Sequence, residues 1–309
     1  MLVLGALPSL THAECNNPGD YIMLDFNTSL VRSNLGGQGG RCTELGACDE
    51  LQTTSTPHEL YFRDIAISYD KLTGSASKLG IDLRVTNTTE YRAWNPNLNG
   101  IKRRSGGAFG SINLLGPRHH TQPRFWRAAM THAVLKFEFL DTTTGQPVNL
   151  PLTYLSFFDL DTSPGGSDRE CLRASHIQNY FLSPNSALEV YSTPQALLQQ
   201  GLDIDGLPPN SLWNSVPAIC AAAPGVGEDN PVEPYALTPF QKRHAVLLQL
   251  ASVTSFELLF SVDAFATASV AATTHSSLRR RDSRSLHQRV QPLWFVRVWS
   301  CGGIGRRVQ

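Results

Sequence analysis

The chain has 309 residues, 41% of them hydrophobic and 17% charged, with a formal net charge of zero. That apolar content supports a substantial core in one large or two small domains, and the charge content is below the roughly 25% of average usage. The neutrality is uneven: residues 276–309 carry eight arginines against Asp282 alone, which is +7 and leaves −7 on residues 1–275. So mildly acidic a body argues against a nucleic-acid surface on it, and no stretch approaches the roughly 20 apolar residues of a membrane span.

Residues Leu2–Leu10 form an apolar run and Thr11-His12-Ala13 a small-residue cleavage site, so residues 1–13 are expected to be a secretory signal. The run lacks the Lys or Arg that normally precedes it. The body then reads as β. "YIMLDFN" (21–27) opens it, and a Gly-rich turn segment follows. "HELYFRDIAISYD" (58–70) has strand period with a slip at Arg63-Asp64 that fits a bulge. "LGIDLRVTN" (79–87) alternates Leu79, Ile81, Leu83 and Val85 against polar neighbours, the mark of a strand with one buried face. Strands are further expected at 106–115, 133–141, 152–160, 176–182, 187–191, 216–222, 244–251 and 254–265. Thr193 and Pro194 open one short helix that Gly201 closes. Short strands separated by Gly, Pro, Asn and Asp predict an all-β fold, an antiparallel β-sandwich of jelly-roll type over residues 14–270. Residues 271–309 are polar and basic without period and are expected to be a disordered tail, with an apolar patch near 293–299 that has no evident partner.

Six cysteines without a C-x-x-C pair suit disulfides in an exported chain. Cys42 and Cys48 can staple a local loop, and Cys171 with Cys220 can join two strands, although spacing alone does not choose among the pairings. Asn27 and Asn87 head N-x-S/T sequons that export would open to glycosylation.

The stretch "FFDLDTSPGGSDREC" (157–171) gathers Asp159, Asp161, Asp168 and Glu170. Asp159, Asp161, Ser163 and Glu170 fall at positions 1, 3, 5 and 12 of a calcium loop, but Pro164 stands where that loop needs Gly, and a strand precedes it instead of a helix. The oxygen chemistry survives without that fold, so Ca²⁺ is an expected cofactor, with Asp25 or the loop of Glu228, Asp229 and Asn230 available to complete the site. Arg169 pairing or an ordinary solvated turn is the competing reading. The loop 89–100 sets Tyr91 and Trp94 beside Asn95 and Asn97, and Trp126 offers a second aromatic surface. Aromatic faces with amides are the chemistry that reads a glycan, unless the rings anchor the loop to the core. No nucleophile elbow, zinc helix, phosphate loop or dinucleotide fingerprint is present.

The succession "YIMLDFN … FFDLDT … GVGEDNP … FELLFSV" resembles a secreted jelly-roll module of the lectin-like or adhesive kind. The expectation is an extracellular, non-catalytic binding or adhesion module, calcium-stabilised, whose partner is a glycan or protein surface. The alternatives are a carbohydrate-active enzyme using the acids of 159–170, and a structural matrix or coat domain.

Overall fold

A computed structural model describes residues 20–26, 30–40, 57–70, 75–105, 107–116, 130–163, 166, 168–192, 212–225, 228–233, 236–264 and 293–301. Among these, strands are β1 (Asp20–Leu24), β2 (Leu30–Ser33), β3 (Glu59–Phe62), β4 (Ala66–Asp70), β5 (Ala76–Lys78), β6 (Ile81–Asn87), β7 (Gly100–Arg104), β8 (Gly107–Ile112) and β9 (Met130–Asp141). The series continues with β10 (Leu150–Phe158), β11 (Asp168–Ala174), β12 (Ile177–Leu182), β13 (Leu188–Tyr191), β14 (Ala218–Ala221), β15 (Val246–Val253), β16 (Ser255–Ala264) and β17 (Leu293–Cys301). A short helix, α1, spans Pro239–Arg243.

The strands form two antiparallel sheets. The first runs β12-β15-β10-β17-β1-β4-β5, with the β7–β8 hairpin joined through β8 to β17; the second runs β13-β14-β11-β16-β9-β6-β3-β2. The expected all-β sandwich is the fold. Alternation explains the layers: Leu135, Phe137 and Phe139 of β9 and Phe256, Leu258 and Phe260 of β16 enter the shared core, where they meet Leu155 and Phe157 of β10. Phe137 stacks on Phe256 at 4.8 Å and meets the edge of Phe157 in the other sheet at 6.4 Å. Burial of such faces at about 25 cal/mol per Å² is the main stabilising contribution.

Beyond the short strands β2, β5 and β7, which the sequence reading did not include, three places differ from it. Residues 58–70 are not one bulged strand. The chain turns at 63–65, with Asp64 at φ 50°, and passes from the second sheet (β3) to the first (β4). The buried Asp82 carboxylate holds this corner: it accepts the Asp64 N–H at 2.7 Å, the Thr142 hydroxyl at 2.5 Å and the Tyr61 hydroxyl. Residues 168–171, the end of the acidic stretch 157–171, do not lie in a turn but open β11, which runs to Ala174 and is buried on both faces. Residues 293–301 depart from the expected unstructured basic end. They pair with β10, β1 and β8 as an internal strand of the first sheet, so the apolar patch has its partners in backbone pairing far away in sequence.

The helix expected at 193–201, the signal at 1–13, and residues 265–292 and 302–309 of the tail lie outside the described residues. The described helix uses the same grammar elsewhere: Thr238 caps it through the Gln241 N–H, Gln241 returns the bond to the Thr238 N–H, and Pro239 takes the first position.

Candidate functional site

β10 ends at Phe158, and the next residue, Asp159, takes φ 64°, a left-handed conformation that Asp tolerates better than most residues. The chain then crosses from the first sheet to the second. The Leu160 N–H reaches the His244 carbonyl at 3.3 Å, Thr162 bridges to Arg169 and Pro224, and the Glu170 N–H bonds the Asp161 carbonyl at 3.0 Å. A turn closed by Ser163 leads into β11; its hydroxyl accepts the Asp168 N–H at 3.0 Å, and its own N–H donates to the Asp168 carbonyl at 2.8 Å.

This crossover shuts four carboxylates inside the end of the sandwich. Asp159, Asp161, Glu170 and Asp229 are 0%, 5%, 3% and 1% exposed. Asp159, Asp161 and Glu170 come from the stretch singled out in the sequence, and Asp229 from the Gly/Pro-framed loop considered beside it. His244, at the end of α1, completes the group and was not foreseen. Its Nδ1 lies 2.9 Å from Asp161 Oδ1, 4.0 Å from Asp229 Oδ2 and 3.2 Å from the Leu160 carbonyl oxygen. A ring nitrogen surrounded by acceptors carries its proton, so Nδ1 donates. Ligand atoms of Asp161, Asp229 and His244 all lie within 4.8 Å of one another. Neither carboxylate oxygen of Asp159 has a hydrogen-bond partner among the described residues. Gly225 closes the wall, since a Cβ there would overlap the Asp161 carboxylate.

The electrostatics follow from this crowding. Burial, then the charges of Asp161 and Asp229, hold Asp159 well above the usual carboxylate range, with Arg104 opposing. Burial first, and then the charges of Asp161 and Asp159, do the same to Glu170. Asp161 is pushed up to about 6, chiefly by burial; His244 opposes the shift and Asp229 reinforces it. Burial works against the His244 imidazolium, but the bond and charge of Asp161 outweigh it and hold His244 above its ordinary 6.5.

Arg169 does not supply the competing neutralisation of this group. Alternation along β11 puts it on the face opposite Glu170, where its guanidinium lies 5.1 Å from the Tyr191 ring centroid and donates to the Tyr191 hydroxyl at 3.0 Å. On that outer face Cys171 and Cys220, register partners on β11 and β14, form a disulfide. Ser163 is occupied by its turn. Asp25 is not part of the group: it follows β1, which β17 separates from β10, and two strand spacings are about 10 Å.

The loop 89–99 is built differently from the expected glycan reader. Tyr91 is 4% exposed, and its hydroxyl lies 2.6 Å from the Asn113 carbonyl and 3.0 Å from Asn99 Oδ1, so its ring is an anchor and not a surface platform. Asn95 accepts the Asn97 N–H at 3.1 Å, and its backbone exchanges bonds of 2.9 Å with the Asn113 side chain. Asn97 is exposed and Trp94 half-buried. Beside this loop is a groove of about 480 Å³ lined by Gly36, Gln38, His58, Asn87, Glu90, Tyr91 and Arg92. Asn87 forms part of its wall, accepting the Gly36 N–H at 3.1 Å and donating to the Thr89 carbonyl at 2.8 Å. Gly36 is at φ 66°, and a Cβ there would press on the Tyr91 ring at 2.8 Å. Trp126, Asn27, Cys42 and Cys48 lie outside the described residues.

Register gives the relation of groove to acids. Glu170 pairs with Val262, Val262 with Thr131, and Asn87 with Leu135 further along the same strand. The loop after β6 therefore leaves toward the sheet end where β11 begins, from a level four residues, or about 13 Å, short of Glu170 and three strand spacings, or about 14 Å, to the side.

The fold and site define an all-β sandwich with a buried acidic crossover at one end and a polar groove beside it. No protein-family model matches the sequence. No curated protein matches it either. Among solved structures the chain is similar to the adhesin domain of PrgB from Enterococcus faecalis, at 11% sequence identity, with 80% of this chain and 82% of that chain covered and a TM-score of 0.31. At that score the likeness bears on neither the fold nor the function of this chain.

Proposed function

We propose that this chain is a secreted, non-catalytic binding or adhesion module that recognises a glycan or another extracellular surface at the loop end of its sandwich. The observation that carries this reading is the pre-organised groove beside the 89–99 loop. Its volume falls within the roughly 300–1,000 Å³ of small-ligand sites, and its walls are polar: His58, Gln38, Asn87 and the exposed Glu90–Arg92 pair. Gln38 is fixed at both ends, donating to the Tyr91 carbonyl at 2.7 Å and accepting the Ala93 N–H at 3.1 Å, so little side-chain order is lost on binding. Burial of the acids favours a binder over a carbohydrate-active enzyme. A glycosidase pair must touch the scissile bond, whereas Asp159, Asp161 and Glu170 are enclosed by the crossover. The Cys171–Cys220 disulfide supports an oxidising compartment.

A glycan array probed with the wild type, Arg92→Ala and Trp94→Ala tests the reading. Arg92 is surface-exposed, so its loss leaves the fold intact. Selective retention that weakens at least tenfold in either variant is expected. Retention of no glycan, or equal retention by all three proteins, refutes the groove as a glycan site.

A further inference from the structure

The buried crossover holds more negative charge than its protein surroundings offset. Four carboxylates face one imidazole and the charge of Arg104, and Asp159, fully buried, has no hydrogen-bond partner among the described residues for either oxygen. An ionised carboxylate withdrawn from water without a partner costs several kcal/mol. Two physical solutions exist: protons on the acids, or a cation among them.

The shape favours a cation. The left-handed turn at Asp159 leaves two acids two residues apart both buried and close enough to feel each other's charge. Gly225 lets the Asp161 carboxylate pack directly on the backbone of the 223–225 segment, where any Cβ would overlap it. Asp229 comes in from a separate loop whose neighbour Asn230 is anchored through its carbonyl to Gln241 Nε2 of α1 at 2.7 Å. The donor set also selects the ion. His244 Nδ1 carries a hydrogen pointed at Asp161 and Leu160 and offers no lone pair there, so the available donors are carboxylate oxygens. Oxygen donors from irregular loops suit a hard cation with flexible coordination, which is calcium rather than zinc. An imidazole that hydrogen-bonds a ligating carboxylate orients it from the second layer.

We propose that Asp159, Asp161 and Asp229 bind one Ca²⁺ ion, with Glu170 as the fourth acid of the cavity and His244 positioning Asp161. The ion ties the end of β10, the segment that carries Asp229 and the end of α1 into one unit. This inference stands whether or not the groove binds a glycan.

The test is calorimetric titration of CaCl₂, MgCl₂ and ZnCl₂ into the chelator-treated full chain, together with thermal melts. Wild type should take up Ca²⁺ in preference to Mg²⁺ and Zn²⁺, and its melting temperature should rise by roughly 5–10 °C at a hundredfold excess over Kd. Asp159→Asn keeps the shape and the left-handed backbone, so it should fold, melt without calcium no lower than the wild type, and show no calcium-dependent rise. Asp229→Asn provides a second variant on an independent loop and should lose at least tenfold in affinity. No Ca²⁺ uptake by wild type at millimolar concentration, preference for Zn²⁺, or unchanged uptake by both variants would overturn the assignment.

Discussion

Lowering the pH of the cation-free protein should make it more stable. Asp161 titrates near 6 in the folded chain against an ordinary value of 3.8. The folded state therefore binds more protons than the unfolded state between those values, and stability falls as pH rises through about 6. A shift of about two units at 1.36 kcal/mol each is on the order of 3 kcal/mol, undiscounted because Asp161 is 5% exposed. Asp159 and Glu170, also raised by burial, act with the same sign. So does His244, whose contribution is complete below 6.5 and lost as pH rises through its raised folded value. About half of the Asp161 contribution, ~1.4 kcal/mol, falls between pH 5 and pH 8, so in chelator the melting temperature should drop across this range by at least roughly 3–6 °C, at 2–4 °C per kcal/mol. Asp161→Asn should make that slope shallower, since it removes one of the groups and its effect on the others. Saturating Ca²⁺ should reverse it, because the ion needs ionised carboxylates and competes with protons. Differential scanning calorimetry across this range is the assay; a flat or rising curve in chelator, or an unchanged slope in Asp161→Asn, refutes the electrostatic reasoning.

Phe137→Ala removes the ring that joins the two layers, and its loss should cost about 3–5 kcal/mol in urea unfolding; a loss under about 1 kcal/mol would contradict the packing described. Replacing Cys171 and Cys220 together by Ser opens a link across 49 residues of chain, worth about 4 kcal/mol by loop entropy, read as a shift in denaturation midpoint. Thr238→Ala breaks the capping box of α1 and should cost about 1 kcal/mol, measured the same way.

The strands legible in the sequence were those with one greasy face. Leu79 to Val85 and Leu135 to Phe139 announce their period, and β6 and β9 lie where it points. β11 was hidden because Asp168-Arg169-Glu170 reads as a solvated turn, yet it is buried on both faces, with Glu170 among the acids and Arg169 against Tyr191. The corner at Asp64 was hidden because a change of sheet and a bulge leave the same one-residue slip. β17 was hidden because its partners in β1, β8 and β10 are more than 130 residues away along the chain and no local pattern carries that pairing. At the site, the clustering of Asp159, Asp161 and Glu170 was visible in their spacing, and Asp229 stood out in its loop. His244 follows an exposed-looking "PFQKR" and carries no signal of its own; only the return of α1 to the end of β10 brings it to Asp161. Tyr91 shows the reverse: its neighbours look like a sugar-binding loop, but its hydroxyl bonds to Asn99 and Asn113 turn it inward.

Equilibrium dialysis of the chelator-treated chain against radioactive Ca²⁺ at pH 7.5, with wild type and Asp159→Asn side by side, tests the crossover most directly. The account predicts one bound ion per wild-type chain and none on the variant. No bound ion on the wild type, or equal occupancy of the two proteins, would contradict it.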